Sequence, residues 1–332
     1  MSQPQLLVDN WGRTHSDLRI SVTDRCNLRC AYCVGKGPVQ FLPKSALLTF
    51  EEIVRIVRVA ASAGITEVRL TGGEPLARKG LLRLVGMLRE VPGLRTVTLT
   101  TNGTLLGSLA LSLRDAGVER VNISLDTLSP EKYRVLTGGD ITQALRGIEA
   151  ALEAGFRTIK LNAVAIRGFT EEEVIPLTEF ARQRGLEIRF IELMPLDDSF
   201  RPLELEPLPA QEIIRRLEAF YGPLIPERLS EGINPGGQYR FSDGKGKVGI
   251  IPTQTQPFCG HCNRLRLSAD GILRFCLFAS EGWNLRDIIR GGGCDEEILR
   301  TFLTAVRAKW KERPHEGTSA ATLPVPMYRC GG

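Results

Sequence analysis

Residues 24–33 read DRCNLRCAYC and place Cys26, Cys30 and Cys33 at C-x3-C-x2-C spacing, just after an apolar, strand-like run, Leu18–Val22. Three thiolates are one short of a closed metal site. Structural zinc takes four protein ligands, and a [4Fe–4S] cluster held by protein alone takes four cysteines. The simplest reading of a lone trio is an iron–sulfur cluster with one iron left open to a small molecule. The alternatives are a zinc site completed by a remote ligand, or three unconnected buried cysteines.

Outward from this loop the chain falls into repeated units. Thr49 and Glu52 make a capping box for a helix whose apolar residues Ile53, Val54, Val57, Ala60 and Ala61 share one face, and Gly64 ends it. Strands follow at Glu67–Thr71, Thr96–Thr101, Val121–Leu125, Thr158–Ile166 and Glu187–Leu193. Between and after them lie helices at Leu81–Arg89 and Leu105–Asp115, one opened by Ser129 and Pro130, one capped by Thr170 and Glu173, and one near Gln211–Phe220. Pro176 predicts an irregular first turn or a kink in the fourth of these. Alternating units of this kind build a parallel sheet with covering helices and right-handed connections. The sheet either opens as a doubly wound layer or curls toward a barrel; six units are too few for a full eight-stranded barrel, and an open, partial, TIM-like α/β barrel fits the count. The rhythm stops near Pro223, and residues 231–258 are rich in Gly, Pro and Gln. We therefore expect a barrel over residues 1–225 and a smaller domain over 226–332, with a helix near Asp295–Glu312.

The composition sets the class. At 332 residues, 42% hydrophobic and 24% charged, the chain is long enough to bury a core without disulfides. It has no apolar run of about 18 residues and no signal pattern in MSQPQLLVDNWGR. A cytoplasmic protein with no membrane association is expected, so its eight cysteines read as metal ligands or free thiols. A net charge of +5, spread out, with 6% aromatic residues makes nucleic-acid binding the weaker reading and leaves a polyanionic small substrate open.

In parallel α/β folds ligands gather at the C-terminal ends of strands. There this chain carries Thr71-Gly72-Gly73-Glu74-Pro75, Thr100-Thr101-Asn102-Gly103 and Asn122 to Asp126, then Lys160, Arg189, Glu192 and Met194. Paired glycines let backbone approach a ligand closely. Lys160 in a parallel strand asks for an anionic partner, since both faces of such sheets are usually covered. A second trio, Cys259, Cys262 and Cys276, has C-x2-C-x13-C spacing. Cys294 is available as a fourth ligand, so a structural zinc ribbon is the competing reading. Arg264 and Arg266 stand at alternate positions beside this trio; on an extended segment they point the same way and suit phosphates.

The segments DLRISVTDRCNLRCAYC, EVRLTGGEPL, TLTTNG, VNISLDTL, KLNAV, RFIELMPL and FCGHCNRLRLSADGILRFCLF, with the final Gly-Gly, cover most of the chain. It resembles the GTP 3′,8-cyclase family of radical S-adenosylmethionine (SAM) enzymes in molybdenum cofactor biosynthesis. The resemblance implies a radical SAM partial barrel and two [4Fe–4S] clusters. One would sit on Cys26, Cys30 and Cys33 and cleave SAM; the other, on Cys259, Cys262 and Cys276, would bind the guanine of GTP. It further implies SAM contacts at Tyr32, Gly73, Ser124 and Met194. GTP contacts are implied at Arg19, Arg69, Thr100, Lys160, Arg264, Leu265 and Arg266. Arg264, Arg266 and the terminal Gly331 and Gly332 would join the first trio in catalysis, the glycines by entering the barrel mouth. A 5′-deoxyadenosyl radical would take hydrogen from ribose C3′, and the sugar radical would attack guanine C8. Cyclic pyranopterin monophosphate synthase would receive the product, a reduced flavodoxin- or ferredoxin-type protein would supply electrons, and the enzyme would be a monomer or homodimer. Two positions depart from the family pattern: Val34-Gly35 follow Cys33 where Met-Pro is usual, and Cys330 precedes the final glycines.

Two other readings compete with this one. Another radical SAM enzyme, acting on a peptide or porphyrin, is disfavoured by the small number of C-terminal cysteines. An RNA- or partner-binding protein with two structural zincs would be colourless rather than brown.

Overall fold

The computed structural model describes residues 5–34, 39–194, 205–227, 237–313 and 327–330. Six segments with apolar and polar side chains in alternation become neighbouring strands: β1 (Asp17–Ser21), β2 (Glu67–Thr71), β3 (Thr96–Thr101), β4 (Val118–Ser124), β5 (Thr158–Ala165) and β6 (Glu187–Glu192). Beyond them come β7 (Ile225–Pro226), β8 (Gly237–Arg240), β9 (Lys247–Ile251), β10 (Arg264–Leu267), β11 (Ile272–Arg274) and β12 (Trp283–Asn284). All join one sheet in the order β12-β11-β10-β1-β2-β3-β4-β5-β6-β9-β8-β7. From β10 through β1–β6 to β9 every pairing is parallel, and the outermost strands are antiparallel. The six expected strands therefore form the middle of the sheet. The chain beyond residue 225 adds a parallel strand to each of their edges.

The outer face of the sheet is apolar. Leu18, Ile20, Val68, Leu70, Leu99, Ile123, Leu161, Ile188 and Phe190 are fully buried beneath helices that supply Ile53, Val57, Leu84, Ile148 and Leu177 to the same core. Burying each such side chain contributes about 1.5–3 kcal/mol. The helix Phe50–Ser62 starts at the expected capping box: Glu52 N donates to Thr49 Oγ1 (3.1 Å) and Thr49 N to Glu52 Oε2 (2.7 Å).

Local chemistry shifts three helices from expectation. Two helices rather than one separate β4 from β5. Gly138 ends Pro130–Thr137 in the left-handed region at φ 71°, and the Asp140 carboxylate caps Ile141–Ala154. The helix after β5 begins at Val174, because Thr170 Oγ1 bonds Ile166 N and Val164 O while Glu173 accepts from Leu128 N. Pro176 then falls in the first turn, where no intrahelical N–H is needed. The last long helix stops at Arg307.

The inner face is polar. Strand register lines up Arg266, Arg19, Arg69, Thr98, Arg120 and Thr158 across six neighbouring strands. One step along, Thr100, Asn122, Lys160 and Glu187 form a second row.

Candidate active site

This inner face encloses a cavity of about 350 Å³, lined by all six cysteines of the two trios. The trios occupy opposite ends of it. Cys26, Cys30 and Cys33 follow the C-terminal end of β1, Cys33 lying in the short helix Ala31–Val34. Cys259 and Cys262 precede β10, which runs parallel to β1 with Arg264 opposite Asp17. Cys276 follows β11, whose Arg274 pairs with Arg266. The second trio thus sits at the N-terminal end of the strands. The length of the barrel lies between the two trios. Arg19 and Arg69 belong to the strand bodies and not to their C-terminal ends.

At the first end, Gly73 N donates to Thr23 O (2.7 Å) and Glu74 N to Arg25 O (2.8 Å). A Cβ on Gly73 would come within 2.4 Å of Arg25 O. Glycine here lets the loop after β2 dock against the cysteine loop itself, a reason not visible in the sequence. Glu74 fixes the next loop by accepting from Leu76 N (3.0 Å), Thr101 Oγ1 (2.7 Å) and Asn102 N (2.8 Å). Asn102 Nδ2 lies 3.8 Å from Cys26 Sγ. Tyr32 Oη donates to Asp126 Oδ2 (2.7 Å), and Asp126 Oδ1 accepts from Val164 N (2.8 Å). Ser124 and Met194 also line the cavity.

Burial raises the Glu74 carboxyl to about 7 and that of Asp126 to about 6, against the hydrogen bonds that favour their ionised forms. Both folded values lie above the ordinary carboxyl range. Each group therefore contributes stability that is complete below about pH 4 and lost as pH rises through 6 to 7. We expect the Tm of the ligand-free protein to fall between pH 5 and pH 8. Glu74→Gln should flatten that slope, on the order of 2–3 kcal/mol for the group; an unchanged slope in thermal melts would show that Glu74 is not its source.

At the second end, Arg264 and Arg266 both line the cavity, as alternation on a strand requires. Leu265 between them is fully buried in the apolar core, so its side chain faces away and only its backbone is left for a ligand. Burial raises the Cys262 thiol, but the charges of Lys309 and Arg264 outweigh it and its pKa falls below the ordinary thiol value. At the other trio, burial pushes Cys30 well up, with Cys33 adding to the effect. The opening residues are not a loose lead-in. Val8 pairs with Thr14, and Arg13 donates to the carbonyls of Cys259 and of Trp310 (2.6 Å). Cys294 is exposed at the start of the helix Asp295–Arg307 and does not line the cavity. Gly331 and Gly332 lie outside the described residues.

Between the trios the cavity is strongly cationic. Arg19, Arg69, Thr100 and Lys160 all reach it, together with Arg120 and Arg189, which sequence reasoning did not select as ligand contacts. Glu67 pairs Arg69 (3.0 Å) and also Arg120. Glu187 pairs Lys160 (2.9 Å) and Arg189 (2.6 Å). Among the described residues no carboxylate makes an ion pair with Arg19; burial lowers its pKa well below the usual value, Arg264, Arg266 and Arg69 lower it further, and the charge of Asp17 opposes them. Its Nε is buried without a hydrogen bond. The missed signal was alternation itself: Arg120, Asn122 and Ser124 share one face of β4, and Glu187 and Arg189 one face of β6.

The donor sets suit iron–sulfur clusters. Each trio is free of disulfides and opens on one shared cavity. Buried thiols such as Cys30 need a positive partner to ionise, which cluster iron supplies. Among the described residues no three His, Cys, Asp or Glu side chains gather at the spacing of one metal ion; a four-iron cluster spreads its thiolates more widely.

The comparisons agree with this geometry. Residues 20–181 match the Radical SAM superfamily model and residues 186–316 the Molybdenum Cofactor Synthesis C model. GTP 3′,8-cyclase of Pelotomaculum thermopropionicum is 45% identical over 91% of this chain and 93% of its own length. That of Moorella thermoacetica is 43% identical over 98% and 99%. Among solved structures, Streptococcus suis SuiB bound to S-adenosylmethionine shares the fold (TM-score 0.52, 19% identity), with 63% of this chain aligned to 47% of that one. The chain therefore belongs to the GTP 3′,8-cyclase family of radical SAM enzymes, the family that its two cysteine trios and intervening arginines announce.

Proposed function

We propose that this barrel carries out the family's reaction, GTP to 3′,8-cyclo-GTP, with the nucleotide lying along the barrel between the two trios. Cys26, Cys30 and Cys33 would hold one four-iron cluster and Cys259, Cys262 and Cys276 the other. The observation that carries this reading is the cationic interior joining them. When bound, the first cluster and SAM supply a 5′-deoxyadenosyl radical able to take the hydrogen from ribose C3′.

The chain's own residues bind and orient. The cations Arg19, Arg69, Arg120, Lys160, Arg189, Arg264, Arg266 and Arg313 line the cavity against Asp17, Glu74 and Asp126, with Glu67 and Glu187 paired to some of them. The positive charges outnumber the negative ones, which suits a polyanionic nucleoside triphosphate. Arg266 lies level with Arg19 and Arg69, and Arg264 lies between that row and the second trio, which suits a guanine directed at Cys259, Cys262 and Cys276. Tyr32, Gly73, Ser124 and Met194 lie at the opposite end, where SAM would sit, and Thr100 with Lys160 lies between. Val164, Ile191, Ile251 and Phe278 supply an apolar wall that encloses a carbon-centred radical and limits its side reactions.

An acidic flavodoxin- or ferredoxin-type protein would deliver the electron, and cyclic pyranopterin monophosphate synthase would take the product. We assign the cytoplasm as the compartment; among the described residues no helix is long and apolar enough to cross a membrane.

Anaerobic reconstitution with iron and sulfide, followed by incubation with SAM and dithionite, tests the reading. GTP should stimulate 5′-deoxyadenosine formation in a brown protein, and a peptide should not. A colourless, zinc-containing protein would overturn it.

A further inference from the structure

Lys309 follows the C-terminal end of the helix Asp295–Arg307 and is 6% exposed. Its ammonium donates to Arg264 O (2.7 Å) and Phe275 O (2.9 Å), and its Nζ lies 3.7 Å from Cys262 Sγ. Two carbonyls alone do not call for a charge there. A buried ammonium costs several kcal/mol unless an anion faces it, and no carboxylate among the described residues pairs with Lys309. Among its neighbours the sulfurs of Cys262 and Cys276 favour its charged form.

The surroundings hold the lysine in place. Asn10 Nδ2 donates to Arg307 O (3.0 Å), Trp11 Nε1 to Lys309 O (2.9 Å) and Arg13 to Trp310 O (2.6 Å). The N-terminal turn thus ties down the segment that presents the ammonium to the second trio.

We propose that Lys309 is a positioning and tuning residue of the second iron–sulfur site: it donates to the Cys262 sulfur and lends the cluster positive charge. This rests on the reading of Cys259, Cys262 and Cys276 as cluster ligands. Hydrogen bonds to sulfur and local charge set cluster potentials. Lys309 therefore makes the second cluster easier to reduce and its open iron a better acceptor for an electron pair from the substrate's base. The first cluster, at the far end of the barrel, is untouched.

The test is a redox titration of reconstituted holoenzyme followed by electron paramagnetic resonance. The signal perturbed by SAM marks the first cluster, and the signal perturbed by GTP marks the second. Lys309→Met removes both charge and donor, while Lys309→Gln keeps a donor for the carbonyls. In both variants the midpoint of the second cluster should move to lower potential at parental iron content, with the first midpoint unmoved. An unmoved second midpoint overturns the proposal. So does loss of the second cluster from the Gln variant, because a merely structural lysine gives that result. Absence of a second signal from the parent protein would instead overturn the ligand reading beneath it.

Discussion

Replacing Cys30 by alanine should abolish 5′-deoxyadenosine formation, while replacing Cys262 by alanine should leave it measurable and abolish cyclised product. Each variant should retain about four of the roughly eight irons of a protein with two [4Fe–4S] clusters. The separation follows from the axial arrangement. Cys30 lies in a loop held by Gly73, Glu74 and Asn102 at one end of the strands. Cys262 lies at the other end, in a segment held by Lys309 and by Arg13 through the Cys259 carbonyl. No hydrogen bond of either set touches the other. Iron analysis with chromatography of both products checks the result. Loss of all iron from the Cys262 variant would show that the two ends are coupled.

The second large effect concerns Arg19. Four arginines, Arg19, Arg69, Arg264 and Arg266, lie on three adjacent strands, and Glu67 pairs Arg69. Like charges this close destabilise the ligand-free fold and are neutralised when a triphosphate enters. Arg19→Met should therefore raise the Tm of the ligand-free protein while weakening GTP binding. Loss of one buried charge-assisted partner costs about 3 kcal/mol, roughly 100-fold in Kd. Calorimetric titration with GTP and thermal melts check the two halves of the prediction. The stabilisation that GTP confers on the parent should shrink in the variant in step with Kd. Unchanged GTP affinity would remove Arg19 from the substrate site.

The fold was legible where local chemistry decides it. Glu67–Thr71 and Thr96–Thr101 are strands with the limits that alternation predicts, and the Thr49–Glu52 box forms as read. The strands β9 and β10, which flank the six central ones, were not recognised. They are short, they sit among glycines and prolines, and only pairing with β6 and β1 makes them strands. The cysteines and the arginine pair Arg264 and Arg266 were legible because their spacing is itself the signal. The partners of the cations were not: Glu67 joins Arg69 to Arg120 across two intervening strand pairings, and Glu187 joins Lys160 to Arg189. Lys309 gives no sequence signal at all, since a lysine after an amphipathic helix normally reaches solvent. Only the tertiary fold turns it inward.

The pairing of β1 with β10 has a consequence for how the protein is made. Asp17 finds its partner Arg264 across 247 residues of chain. On the ribosome, the first cysteine loop emerges long before the strand that flanks it, and N-terminal segments fold as they appear. The edge of β1 must stay unpaired through most of synthesis, or be covered by a chaperone, since an open strand edge invites aggregation. Such a long-range contact also forms late and slowly. Arg266 is placed beside Arg19 by the same pairing, so the substrate floor is completed only near the end of folding. The cysteine loop at the other end can take up its iron before the protein is able to hold a nucleotide.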